Sequence, residues 1–191
     1  RGIWLSNLGL VYDDLKNYPE AIRLHRLSIK LARQINDIQA TITRLGNLGN
    51  TYIEASNLTA ALAAYTETLH LLQNMGRKHD IALRTSLIAD IHAQLGRELL
   101  PDDAAYTHFN KALDHYGHAM TGLREAGDLT NEADVVRSIG QVLADADQYE
   151  DAAQYFDVAE QMFEALGLKN QAARSHKTLT RIIEFLEKQG D

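Results

Sequence analysis

Eight histidines and the paired aspartates Asp13-Asp14 and Asp102-Asp103 are the side chains of this chain that could do chemistry. His115-x2-His118 would share one face of a helix, with His108 seven residues before His115. Histidines at i and i+3 can share a metal, but the spacing matches neither His-Glu-x-x-His nor Glu-x-x-His. His92 falls where a core residue is expected, so it reads as a buried, hydrogen-bonded side chain. Asp13-Asp14 and Asp102-Asp103 are neighbours in sequence, and neighbours on a helix diverge by about 100°. They therefore read as caps and solvated faces, not as acid–base pairs. The absence of cysteine excludes thiol catalysis, thiolate metal sites and disulfides. No glycine-rich phosphate loop follows a strand, and no nucleophile elbow is present. The expectation is no catalytic residue, no metal and no cofactor. A small-molecule or metal-dependent enzyme is the remote alternative.

The elements that would position any site are helices. Leu45-x2-Leu48-Gly49-x2-Tyr52 and Ala61-x3-Tyr65-x2-Thr68-Leu69 both carry apolar residues at i, i+3, i+4 and i+7. Ser56-Asn57 supplies the turn between them, because short polar side chains compete with helical backbone bonds. Gly49 lets the paired helix approach closely. One such hairpin cannot bury its apolar face alone. Copies are present: Leu5-x2-Leu8-Gly9-x2-Tyr12 with Ala21 lies forty residues earlier, and Thr85-x2-Ile88-Ala89-x2-His92 forty later. A fourth copy is Val136-x2-Ile139-Gly140-x2-Leu143, followed by Tyr149-Glu150-Asp151-Ala152 and Phe156.

This pattern resembles the tetratricopeptide repeat, whose signature is W-x2-L-G-x2-Y, then A-x3-F, then P. The period of forty is longer than the usual thirty-four and resembles the repeats of kinesin light chains and bacterial signalling ATPases. The closing Pro is absent. Two-helix HEAT repeats have a similar period, but Leu-Gly-x2-Tyr and Tyr-x-Glu-Ala favour the tetratricopeptide pattern. The resemblance implies an all-α, right-handed α-solenoid of four helix hairpins plus a C-terminal capping helix. The expected single domain, 1–191, holds repeats at about 2–37, 41–77, 81–127 and 130–167, with the cap at 170–188.

Within that frame, helix pairs are expected at 2–16 and 19–35, with Pro19 in the first turn of the second helix. Asn36, Gly76, Gly127 and Gly167 close successive repeats as helix C-terminal residues. Repeat 3 carries about eleven extra residues near 97–111, so its second helix, 102–126, should protrude. Gly122 lies in mid-helix with no signature role. Trp4 is one position out of register with the family Trp, at Leu5, and reads as packing against a preceding repeat or touching a ligand.

The resemblance also implies a concave groove lined by the first helix of each hairpin. It places Asn7 and Asn47 on that inner face, where an amide can clamp a peptide backbone. Asn50, Ser86, Asp90, Arg137 and Gln141 fall on the same face by helical spacing. Arg44 and Arg84 are expected at its rim, able to take a carboxylate bidentately. The Lys-and-Asn set of a chaperone-tail clamp is missing. The expected partner is a protein or peptide in this groove, with homotypic self-assembly through the N-terminal repeat as the alternative.

Net charge is −7 and the charges are interspersed. Nucleic-acid binding by counterion release needs clustered basic residues, so no nucleic-acid partner is expected. No run of eighteen apolar residues exists, so a membrane-spanning helix is not expected either. The chain begins inside a helical pattern without Met, cap or signal peptide. It reads as a piece of a larger cytoplasmic, bacterial multidomain regulator.

Overall fold

The computed structural model describes residues 2–190. Among the described residues there are helices and turns but no strand. Helix contacts divide the chain into two compact units, up to Arg77 and from Lys78 onward. The first holds α1 (Gly2–Asp14), α2 (Tyr18–Gln34), α3 (Ile38–Glu54) and α4 (Leu58–Asn74). The second holds α5 (Lys78–Leu99), α6 (Ala104–Ala126), α7 (Leu129–Asp145), α8 (Tyr149–Ala165) and α9 (Lys169–Gly190). Pairs α1–α2, α3–α4, α5–α6 and α7–α8 are hairpins, and α9 packs on α8.

The turns repeat their geometry as faithfully as the helices repeat their pattern. Lys16, Ser56 and Asp147 take positive φ between first and second helices, at 56°, 55° and 60°. Asn36, Gly76, Gly127 and Gly167 take it between hairpins, as the spacing of Asn and Gly implied. Asp37, Asn57 and Asp128 then accept a hydrogen bond from the backbone N–H three residues on, at 2.9, 3.1 and 3.2 Å. Each satisfies one of the orphan donors of a helix start.

Each hairpin is held by a small residue facing an aromatic ring. A Cβ placed on Gly49 would lie 2.7 Å from Tyr65, one on Gly9 2.6 Å from His25, and one on Gly96 2.4 Å from Phe109. Contacts under 3.0 Å force something to move, and Tyr65 and Phe109 are fully buried. Gly140 faces Phe156 less tightly, at 3.2 Å.

Repeat 3 departs from expectation in how it spends its extra residues. Both of its helices lengthen, to 22 and 23 residues against 17 in α2, α3, α4, α7 and α8. The expected protruding helix is therefore a protruding hairpin. Ala105, Phe109, Ala112, Tyr116, Ala119 and Leu123 form one buried stripe along α6. Gly96 and Phe109 make an extra small–aromatic pair one heptad beyond Ala89 and Tyr116. Gly122 also differs from expectation. A Cβ there would lie 2.8 Å from that of Ala82 on α5, so it is a close-approach position after all.

α9 covers the end of the second unit with Ala172, Ser175, Leu179, Ile182 and Leu186, of which Ala172, Ser175 and Ile182 are buried. Ala173 and Ile183 of the same helix are exposed.

Gly49→Leu and Gly122→Leu should each cost about 1–3 kcal/mol through overpacking. Gly117→Ala should gain up to about 1 kcal/mol, because nothing lies within 4 Å of its Cβ and Ala is the better helix former. Urea midpoints of the three variants check the order; a Gly122→Leu midpoint equal to or above wild type would place α5 and α6 in a different register.

Candidate functional site

The residues expected along the first helix of each hairpin fall into two groups. In the first unit, Asn7 is exposed and Asn47 is half-buried. The Asn47 side-chain amide donates to Ser6 Oγ at 3.3 Å. Asn50 is exposed, and its Oδ1 accepts the Tyr65 hydroxyl. Arg44 does not stand at a rim. It is buried, 8% exposed, and donates from NH1 to the Ser28 carbonyl at 2.7 Å. The reason is local: Gly2 leaves room for the guanidinium, which would lie 2.8 Å from a Cβ there.

In the second unit α5 and α7 bring several expected residues together. A cavity of about 360 Å3 is lined by Arg84, Ser86 and Asp90 from α5, Tyr116 from α6, and Asn131, Asp134 and Ser138 from α7. Asp90 reaches solvent, yet its carboxylate accepts the Tyr116 hydroxyl at 2.5 Å. Desolvation raises the Asp90 pKa, opposed by that hydrogen bond and by the charges of Arg97 and Arg137. The same burial, with the negative charge of Asp90 beside it, pushes the Tyr116 hydroxyl far up. Arg137 pairs with Asp134 at 3.0 Å. A second cavity, of about 370 Å3, is lined by Asp134, Arg137, Asn170, Gln171 and Arg174. The two cavities share Asp134, so the faces of α5, α7 and α9 form one polar strip of amides, hydroxyls and paired charges. Gln141 lies apart from both linings; it is exposed and donates to Asp145 at 2.8 Å.

Asp13 was missed by sequence reasoning, which gave it a solvated face. Its Oδ2 lies 3.0 Å from His25 Nε2 and accepts Thr51 Oγ1 at 2.9 Å. It ties α1 to α2 and α3. The signal was there in part: Gly9 opposes a histidine instead of a ring without polar atoms, and a fully buried imidazole needs a partner.

Comparison with known proteins shows what these hairpins are similar to. Residues 1–74 match the tetratricopeptide repeat family profile. Over 89 residues the chain is 26% identical to the human intraflagellar transport protein 88 homolog, covering 47% of this chain and 11% of that protein. The fold is similar to that of a signal transduction ATPase with numerous domains and a tetratricopeptide repeat sensor, from Pyrococcus horikoshii. There the TM-score is 0.77 at 19% identity, over 90% of this chain and 25% of the other. It is also similar to the nearly identical tetratricopeptide-like repeats of a putative kinesin light chain from Podosopora anserina. That TM-score is 0.63 at 9% identity, over 93% of this chain and 92% of the other.

The family match covers α1 to α4, and the likeness that spans the remaining hairpins is one of fold. The chain spans about a tenth of its curated relative and a quarter of the ATPase. The long-period reading agrees with the kinesin light chain and ATPase folds. In tetratricopeptide terms, His25 replaces the ring of A-x3-F and His92 the Tyr that ends L-G-x2-Y.

His92 is buried, and its Nδ1 lies 3.1 Å from His108 Nδ1. Its ring stacks on His115 with centroids 5.7 Å apart. His118 instead faces Asp114, at 3.7 Å, so it does not join His115. Among the described residues no group of three or more His, Cys, Asp or Glu is placed to hold a metal. Burial, then the neighbouring His108, His115 and Lys111, lower the His92 pKa to about 4. His115 is lowered by burial as well.

The sign of the pH effect follows. The unfolded chain takes up the His92 proton near the ordinary value of 6.5, and the folded chain resists until about 4. Stability is therefore full above pH 6.5 and falls as the pH drops from 6.5 toward 4. Melting temperatures across that window should fall, and His92→Gln should flatten the dependence; an unchanged slope in that variant would assign the loss to other groups.

Proposed function

We propose that the chain is a protein- or peptide-binding repeat scaffold that acts as a single domain over 1–191 and carries no chemistry of its own. Its ligand lies along the first-helix faces of the hairpins, on the strip built by α5, α7 and α9. The observation that carries this reading is the pair of adjoining cavities that share Asp134 and offer at their margins the amides of Asn170 and Gln171 and that of Asn131, which also donates to Asp128. Side-chain amides present donor and acceptor together, which matches a peptide backbone. Arg84 and Arg137 add charge beside Ser86 and Asp90. In the first unit Asn7, Asn47 and Asn50 present a polar face of their own, and Arg44 contributes through the backbone it holds. Gln141 borders the strip.

The fold match to an ATPase with a repeat sensor supports a place as the sensing segment of a larger multidomain regulator, bacterial and cytoplasmic. No described helix is long and apolar enough to cross a membrane, and no clustered basic run favours nucleic acid.

A peptide library followed by calorimetry with the best binder tests the strip. Losing one hydrogen bond from a buried amide or charge costs roughly 1–3 kcal/mol, about ten- to a hundredfold in affinity. Asn170→Ala and Arg137→Ala should weaken binding by that order without shifting the melting temperature. Glu150→Lys, on α8, should not. Silence of both strip variants with loss in Glu150→Lys would move the interface to the second helices.

A second reading, homotypic self-assembly, is favoured by α1. Trp4, Leu8, Val11 and Leu15 stand at helical spacing and are 79%, 45%, 51% and 69% exposed, with Ile3 and Leu10 beside them. An apolar stripe of this kind promotes association. Sedimentation at rising concentration should show dimers that Trp4→Ser weakens; a strict monomer in both would remove this reading.

A further inference from the structure

A cavity in the first unit opens between its two second helices. It is a cleft of about 680 Å3 between α2 and α4, floored by Leu45, Leu48 and Tyr52 of α3. One wall is basic, with Arg26, Lys30 and Arg33 at i, i+4 and i+7 along α2. The other is bare, because α4 presents Ala60, Ala63 and Ala64.

Neither wall is a property of the repeat. Counting from the ring that faces each hairpin's glycine or alanine, the other second helices carry Glu20 and Arg23, Lys111 and Asp114, or Asp151 and Gln154 where α4 has Ala60 and Ala63. Side chains of that size would fill the cleft. At the positions of the three bases, α4 carries Thr66, His70 and Gln73, and α8 carries Asp157, Gln161 and Glu164. The two departures come from different helices and meet at one cleft.

Charge decides what the cleft suits. Arg33 is bound to Glu67 across one end. Arg26 donates to the Tyr52 hydroxyl at 2.6 Å and is not spent on a carboxylate. Lys30 is exposed and forms no ion pair among the described residues. On a chain of net charge −7 this leaves two available cations beside an apolar floor. They stand one helical turn, about 6 Å, apart along α2. Two carboxylates at i and i+4 on a partner helix have that same separation, and the apolar residues between them would face Leu45 and Leu48. A single small anion would meet only one of the cations.

We propose that the α2–α4 cleft is a second binding site, which takes an acidic amphipathic helix of about two turns from a partner protein. It is distinct from the strip on α5, α7 and α9, and either can fail without the other.

A labelled, N-acetylated helical peptide with Leu at i, i+3 and i+7 and two flanking Glu residues four positions apart tests it by fluorescence anisotropy on the full chain. The twin with Lys for Glu is the control. The Glu peptide should bind in the micromolar range, weaken with salt, and the Lys peptide should not bind. Arg26→Glu with Lys30→Glu should weaken it at least tenfold, and Ala63→Trp, which fills the cleft from an exposed position, should do the same. Melting temperatures identify any variant that fails through folding, and the Arg26 and Lys30 changes are on exposed side chains. Asn170→Ala should leave the peptide bound. Equal binding of both peptides, or binding that survives the charge reversal and Ala63→Trp, would overturn the proposal. So would loss in Asn170→Ala alone, which would assign the peptide to the strip. Decanoate binding in the cleft without peptide binding would overturn it in favour of a small anionic amphipath.

Discussion

The constraint on which each hairpin depends is the approach of two helices at a residue with no side chain. Gly49 against Tyr65 and Gly96 against Phe109 leave no space for a Cβ. The ring fills the gap that the glycine makes, so packing density is kept without strain. Once that point is set, the antiparallel register of the hairpin is set too, and with it the side chains that reach each face. The polar strip of the second unit is a consequence. Asp90 stands one position beyond Ala89, which pairs with Tyr116, and so the Tyr116 hydroxyl comes to its carboxylate.

Polar groups enter where the ring is replaced. His25 stacks over Gly9 as Tyr65 does over Gly49, but its nitrogen must be satisfied, and Asp13 supplies the partner. Thr51 then joins the same carboxylate, which links α3 to the first hairpin by hydrogen bonds as well as apolar contact. At His92 the substitution has a different outcome. The imidazole meets other imidazoles, which hold it neutral through burial and mutual repulsion. One repeat position can thus be filled by Tyr, or by His in a setting that accepts it, at the cost of sensitivity to acid.

Much of this architecture was legible in the chain. The Leu-Gly-x2-Tyr copies located the hairpins, and Asn36, Gly76, Gly127 and Gly167 located the turns, because these signals are local. What escaped was what depends on neighbours distant in sequence. Gly122 looked idle because its contact, Ala82, lies on the partner helix. Arg44 was placed on a rim because helical spacing gives a direction, and only the structure shows Ser28 in that direction. Leu8 shares its signature with Leu48, yet Leu48 is 6% exposed and Leu8 45%. Leu48 lies at the floor of the α2–α4 cleft, and a pattern within one repeat does not give that setting. The Ala105-x3-Phe109 step was hidden by the identical-looking Ala112-x3-Tyr116 that follows it.

The α5–α6 hairpin carries small and aromatic residues at two levels, Gly96 against Phe109 and, seven residues back on both arms, Ala89 and Tyr116 in the same core. This makes its length a quantised property. Taking about seven residues from each arm would return the tip to the inner contact and leave every downstream face where it was. Taking one or two from one arm alone would turn the rest of that helix by about 100° or 200° against its mate, and the stripe from Ala105 to Leu123 would lose its partner. Insertions and deletions here are therefore graduated like the marks of a ruler. The reach of this arm can change between related chains only in such steps, while the strip at its base stays fixed.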